Sequence, residues 1–188
     1  LQDAVVPRPV YLVSTVSKTG VNNVAPYSYI SPAATTPTSF VLSVLRRDDG
    51  SEKDTIVNLR ASGELVISAV TESIVQAANA CAENLPPHRS EFEFAGLTPA
   101  FLTARTPHVA QSPLRFECRV ESEIPFGSGG SGGRSLVIVS VTRAYVAKRM
   151  YRGGGQLDIA ALRLIGRSSV DQYLVADGQF TIARPNTG

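Results

Sequence analysis

One proline limits where this chain can be folded. It stands inside an otherwise strand-forming run, Val21-Asn22-Asn23-Val24-Ala25-Pro26-Tyr27-Ser28-Tyr29-Ile30-Ser31. Proline has no N–H to give to a ladder, so the run belongs at a sheet edge, a bulge or a bend. The turn Ser17-Lys18-Thr19-Gly20 precedes it, and residues 10–16 before the turn are rich in β-branched side chains. Residues 10–16 and 24–30 therefore read as the two arms of a hairpin. Two consecutive asparagines put amide donors and acceptors on backbone freed from pairing, where a planar polar ligand can be met. Tyr27 and Tyr29 are expected on one strand face and Ser28 on the other.

The remaining chain continues in strands. Residues 32–37 read as loop, and 39–45 as a strand apolar on both faces and therefore central. Asp54 is a good N-cap for a short helix over 55–61, which Gly63 ends. A strand over 64–70 follows. Ile74, Ala78, Cys81 and Leu85 fall on one face at helical spacing, which predicts the longest helix over 71–85, stopped by Pro86-Pro87. Residues 90–94 read as an extended or turn segment with Phe92 and Phe94 on one side and Glu91 and Glu93 in solvent. In the strand over 114–124, Leu114, Phe116, Cys118, Val120 and Ile124 form a dry face. Arg115, Glu117, Arg119, Glu121 and Glu123 form a wet one. The Gly/Ser stretch 127–133 reads as the connection to a returning strand over 135–147. A turn at 151–155, a helical turn at 158–162 and a tight loop at 164–169 follow. A closing hairpin of 173–175 with 180–182 over Asp177-Gly178 ends the chain. About eight or nine strands with a few short helices predict an all-β fold, an antiparallel barrel with helices over its ends, in one domain over residues 1–188. No GxGxxG follows a strand, which argues against a doubly wound dinucleotide fold.

Charge and cysteine usage exclude several functions. A net charge of +2 without a Lys/Arg run argues against nucleic acid. No apolar run is long enough to cross a bilayer, and no secretory signal pattern opens the sequence. Cys81 and Cys118 have no metal spacing with His88 or His108 and read as buried thiols. A cytoplasmic protein without a metal is expected. Neither histidine stands in a nucleophile or metalloprotease motif, and no paired carboxylates suggest acid–base work. The stronger signal is for an anion. Lys53-Asp54-Thr55 brings an ammonium, a hydroxyl and free backbone N–H groups to a predicted helix start. Arg46, Arg47 and Arg167 are further phosphate candidates.

Several short elements stand in an order that resembles the flavin reductase-like domain, a family of FMN-binding split barrels that includes flavoredoxins and reductase components of two-component monooxygenases. They are Pro7-Arg8-Pro9-Val10 with Val13-Ser14-Thr15; Asn23-Val24-Ala25-Pro26-Tyr27-Ser28; Lys53-Asp54-Thr55 with Asn58; Glu91-Phe92 before Gly96-Leu97-Thr98; Glu117-Cys118; and Ile165-Gly166-Arg167 with Tyr173. The resemblance implies a homodimer holding FMN, or less often FAD, near the subunit interface. It implies that Asn23, Val24, Ala25, Pro26, Tyr27 and Ser28 line the ring and ribityl chain. It implies a phosphate near Lys53, Asp54 and Thr55, and it puts Arg8, Ser43 and Arg167 near the site. The implied activity is hydride transfer from NAD(P)H to flavin or onward to an acceptor such as a monooxygenase, with no catalytic side chain because flavin N5 carries the chemistry. Two alternatives stay open: an FMN-binding electron carrier without its own NAD(P)H activity, and a small-ligand barrel without flavin.

Overall fold

The structure, a computed structural model, describes residues 2–183 and 185. Strand β1 (Arg8–Pro9) leads into the hairpin of β2 (Tyr11–Val16) and β3 (Asn22–Tyr27). A second hairpin joins β4 (Ile30–Thr35) and β5 (Thr38–Leu45), and helix α1 (Asp54–Ser62) precedes β6 (Glu64–Ala69). The short helices α2 (Val75–Ala80) and α3 (Glu91–Phe94) come before the small ladder of β7 (Pro99–Ala100) and β8 (His108–Val109). The long hairpin of β9 (Leu114–Phe126) and β10 (Arg134–Val146) follows, then the small hairpin of β11 (Tyr151–Gly153) and β12 (Gln156–Leu157). Helical turn α4 (Ile159–Leu162) and the pair β13 (Leu164–Arg167) and β14 (Tyr173–Ala176) complete the described elements.

Seven strands form one antiparallel sheet in the order β3-β2-β6-β9-β10-β5-β4. Its two edges, β3 and β4, are consecutive in the chain and joined only through Ser28 and Tyr29, yet they do not pair. The sheet thus curls into a barrel that stays open along one seam, a split barrel. Pro26 sits on edge strand β3 opposite Leu12. The Val24 N–H and the Asn22 carbonyl bond outward, to Glu91 and Ser90. The same alternation turns the backbone of Pro26 away from β2, so the missing donor costs the ladder nothing.

Two cores result. Val13, Tyr27, Leu42, Leu65, Ile67 and Val139 fill the barrel, and Ile56 and Leu59 of α1 close one end. Leu12, Val24, Ile74, Ala78, Phe92 and Ile165 form a second cluster on the outer face of β2 and β3. Buried apolar side chains on both faces explain the unbroken run at Leu12-Val13. Gly63 ends α1 in the left-handed region (φ 70°) and closes back on the Leu59 carbonyl. Gly166 allows a close crossing, since a Cβ there would meet Pro7 Cβ at 2.6 Å.

The structure departs from the expectations in several places. Residues 32–35, expected as loop, belong to a strand, because β5 offers a ladder up to the Thr35–Thr38 turn. Tyr27 is buried and Tyr29 is exposed, because β3 ends at Tyr27 and the chain bends before β4. The long helix is broken. A 3-10 turn at Glu72–Ile74 meets α2, Ile74 is not helical (φ −120°, ψ 7°), and beyond Ala80 the bonds tighten to Ala82 N–Asn79 O and Glu83 N–Ala80 O. Its apolar positions Ile74, Ala78 and Cys81 are nonetheless buried together. Residues 91–94 are helical, which sends Phe92 into the core and Phe94 outward. Residues 164–167 are a strand, and β14 pairs with it rather than with residues 180–182. Strand β1 holds the other edge of β13, so packing against the barrel, not the Asp177-Gly178 turn signal, selects the partner.

Candidate functional site

The open edge of β3 faces the start of α1. The Tyr27 hydroxyl donates to Thr55 Oγ1 at 2.9 Å, and Thr55 Oγ1 lies 3.4 Å from Asn23 Oδ1. Burial pushes the Tyr27 hydroxyl up to about 12, so it stays a donor at physiological pH. Thr15 Oγ1 also donates to Asn23 Oδ1 (3.1 Å), and Asn58 Nδ2 donates to Thr15 (3.1 Å). Glu91 completes this buried network. One carboxylate oxygen accepts from Asn23 Nδ2 (3.0 Å) and from the Val24 N–H (3.1 Å). Burial raises the Glu91 carboxyl above its usual range, opposed by these donors. The Asn23 oxygen is therefore spent inside the protein, and its Nδ2 keeps one further N–H beyond the bond to Glu91.

At the helix start, Lys53 is the cap residue, with no side-chain cap bond, and Asp54 is the first helical residue. That corrects the expectation of an Asp54 cap: its carboxylate turns instead to Arg47, 2.7 Å away. The first intrahelical bonds are those of Ile56 and Val57 to the Lys53 carbonyl. The N–H groups of Asp54 and Thr55 are thus left for an outside acceptor. Lys53 has no salt-bridge partner among the described residues. Burial and the Arg47 charge push its ammonium below the usual range, with Asp48 opposing them. A half-buried cation beside two orphan donors at a helix N-terminus, with the Asp54 carboxylate paired to Arg47, is the chemistry of an anion cradle.

Three clefts run along the β3 edge and share walls. The first is lined by Asn23, Ala25, Pro26, Lys53, Asp54 and Thr55, with Arg47 and Glu91. The second shares Pro26 and adds Tyr27, Ser28 and Arg167. The third shares Ser28 and adds Arg8 and Ser43; it is the largest, about 510 Å³, and mostly apolar, with Tyr29, Ile30, Val41 and Leu136 in its walls. Every residue expected at the site lines one of these clefts except Val24, which is buried in the outer core, and the phosphate candidate Arg46, which turns to Glu52 and the Gly50 carbonyl. Arg8 is buried, donates to the Val5 carbonyl at 3.0 Å and lies over the Tyr29 ring. Arg167 is held by the Ser169 and Val170 carbonyls and lies over Tyr173. Together the clefts suit an elongated ligand with a planar part and an anionic end.

Sequence reasoning missed Glu91, read as a solvated edge. Ser90 before two glutamates was a usable helix-start signal. It also placed Glu117 on a wet face. Glu117 is buried, and His108, wholly buried, lies 2.8 Å from it. Burial alone would raise the Glu117 carboxyl, but bonds from Thr103, the Ala104 N–H and His108 hold it at about 2. Glu117 ties the loop before β8 to the barrel wall, and neither residue lines the three clefts. Among the described residues no group of ligating side chains could hold a metal. No helix among them is long and apolar enough to cross a membrane.

Comparison with known proteins adds an independent line. A family model described as flavin reductase like domain matches residues 4–159. An uncharacterized protein of Halalkalibacterium halodurans is 39% identical over 185 residues, covering 97% of this chain and 88% of the relative. The crystal structure of nitrilotriacetate monooxygenase component B from Bacillus cereus is similar at 38% identity and TM-score 0.89, covering 95% of this chain and 89% of that one. Flavoredoxin of Desulfovibrio vulgaris shares the fold at 20% identity and TM-score 0.81, covering 97% and 93%.

Proposed function

Because the chain belongs to the flavin reductase like domain family, we propose that it is a flavoprotein oxidoreductase of a single domain. It binds FMN and moves hydride or electrons from NAD(P)H to flavin or to a downstream acceptor. The observation that carries this reading is the convergence of two sites in one groove: the open edge of β3, and the N-terminus of α1 with its unpaired Lys53. The FMN phosphate would rest on the Asp54 and Thr55 N–H groups and the Lys53 ammonium. The ring would lie along Ala25, Pro26 and Ser28 toward the apolar third cleft. Bound flavin supplies the redox chemistry, accepting and releasing hydride and single electrons.

The protein's part is binding, orientation and charge. The Ser28 N–H and the Arg8 and Arg167 guanidiniums would hold negative charge that develops on the ring. The buried network of Tyr27, Thr55, Asn23 and Glu91 fixes the groove wall, so little reorganisation accompanies binding. No titrating side chain is needed for hydride transfer at a bound flavin. The third cleft opens on exposed Tyr29 and Val5, and a second copy of the chain covering it would shield the ring from water. A homodimer in the cytoplasm is therefore part of the proposal.

The test is direct. Purified protein should quench FMN fluorescence on titration and carry a flavin visible spectrum when loaded. Anaerobic NADH or NADPH should bleach that band within seconds. FMN binding without bleaching would instead indicate an electron carrier fed by another reductase. Unchanged FMN fluorescence on titration would end the flavin reading.

A further inference from the structure

A fourth cavity, about 390 Å³, is bounded by the turn at 17–19, helix α1 and the segment holding Pro87 and Arg89. Its size falls in the range of about 300 Å³ and above that small-molecule sites occupy. Two buried polar side chains in its wall are incompletely bonded. Asn58 is 5% exposed; its Nδ2 donates to Thr15 Oγ1 (3.1 Å), and its Oδ1 accepts from no described residue. That oxygen is not sealed from solvent, and Asn58 lines this cavity and none of the three clefts, so Oδ1 opens here. Glu91, also 5% exposed, takes the bonds from Asn23 Nδ2 and the Val24 N–H on the same oxygen, Oε2. Its carboxylate has no ion-pair partner among the described residues. Three consecutive bonds, Asn58 to Thr15 (3.1 Å), Thr15 to Asn23 (3.1 Å) and Asn23 to Glu91 (3.0 Å), hold the two acceptors in fixed relation. The opposite charge stands at the rim. Lys18 and Arg89 are exposed, line the same cavity and have no salt-bridge partner among the described residues. Arg60 lines it too, but is committed to Glu123 and Glu52. Val57, half exposed in mid-helix, and Pro87 give apolar walls.

We propose that this cavity binds a small zwitterion of the amino-acid class, with its ammonium on Asn58 Oδ1 and Glu91, its carboxylate on Lys18 and Arg89, and an apolar side chain against Val57 and Pro87. A buried carboxylate without a counter-ion is costly, and a ligand cation supplies the missing partner. The ammonium brings three donors, enough for both acceptors. A plain amine would satisfy Glu91 but leave the two rim cations unmatched. A plain anion would match the rim but approach Glu91 with like charge. A ligand with both ends charged meets both demands. The site stands whether or not flavin fills the neighbouring groove.

The test uses the intact chain. Calorimetric titration with L-leucine at neutral pH should give saturable binding. Isocaproate, which is leucine without the ammonium, and isoamylamine, which is leucine without the carboxylate, should each bind about tenfold more weakly or worse. Lys18→Ala with Arg89→Ala removes two solvent-screened contacts and should weaken leucine about tenfold while leaving isoamylamine unchanged. Both side chains are exposed, so the melting curve of this double variant should match wild type. Glu91→Gln keeps an acceptor but removes the charge, and should weaken leucine and isoamylamine but not isocaproate. Absence of saturable leucine binding, equal affinity for leucine and isocaproate, or equal leucine affinity in wild type and double variant overturns the proposal. A fall in FMN affinity in the double variant would assign Lys18 and Arg89 to the flavin phosphate and overturn it as well.

Discussion

Replacing Lys53 with alanine should separate ligand affinity from protein stability. In the folded chain this ammonium is half-buried beside the Arg47 charge, and its pKa is pushed down by burial first and by Arg47 second. Lys53→Ala removes that unfavourable pair of terms, so the ligand-free protein should unfold within about 0.5 kcal/mol of wild type, or at slightly higher denaturant. The phosphate loses a charge-assisted bond worth about 1.5–3 kcal/mol. That corresponds to a rise in the FMN Kd of ~10-fold to ~150-fold. Fluorescence titration measures the first quantity and urea unfolding without ligand the second. Riboflavin, which lacks the phosphate, should bind wild type and variant alike. An FMN Kd within about twofold of wild type would refute the cradle, and an equal loss for riboflavin would show that the change is not at the phosphate.

Other consequences follow from the buried carboxylates and the helix end. Glu91→Ala leaves the Val24 N–H and Asn23 Nδ2 without an acceptor and should cost about 2–4 kcal/mol in urea unfolding. Glu91→Gln keeps an acceptor, and because a raised carboxyl loses stability as pH rises through its folded pKa, the Gln variant should match or exceed wild type at pH 8. A tolerated alanine would show that the edge is held by other bonds. Glu117, held at about 2 against an ordinary 4.5, contributes on the order of 3 kcal/mol. That stability is present above about pH 4.5 and disappears as pH falls toward 2. Glu117→Gln should lower stability at pH 7 and flatten the acid limb of the stability curve. Gly63→Ala forces an L side chain into φ 70° and should cost about 1 kcal/mol by thermal melting.

Much of this architecture was legible in the chain because it rests on local rules. Pro26 demanded an edge, and β3 is an edge. The alternating pattern over 114–124 marked the strand that became β9, and the Gly/Ser stretch after it is the expected hairpin connection. Gly63 ended α1 where a left-handed residue was needed. The Lys53-Asp54-Thr55 run marked a helix start before any contact was known. Elsewhere local rules misled. Residues 32–37 looked like loop because two prolines and small residues dominate there, yet β5 supplied a partner for 32–35. Glu91 and Glu117 looked solvated because alternation assigns a face but not what covers it. Residues 95–107, the loop after α3, and the ladder of β7 and β8 are what turn Glu117 inward.

Local stereochemistry alone therefore determined where most of the strands lie, which segment had to stay at an edge, and where orphan helix donors collect. Those features depend on neighbours a few residues apart. The meeting of β3 with α1 was decided only in three dimensions, because Tyr27 and Thr55 lie 28 residues apart and touch through a single 2.9 Å bond. Burying a hydroxyl, an amide and a carboxyl together is favourable only when each finds its partner at once. That condition belongs to the curled sheet and the helix packed on it, and no stretch of sequence contains it.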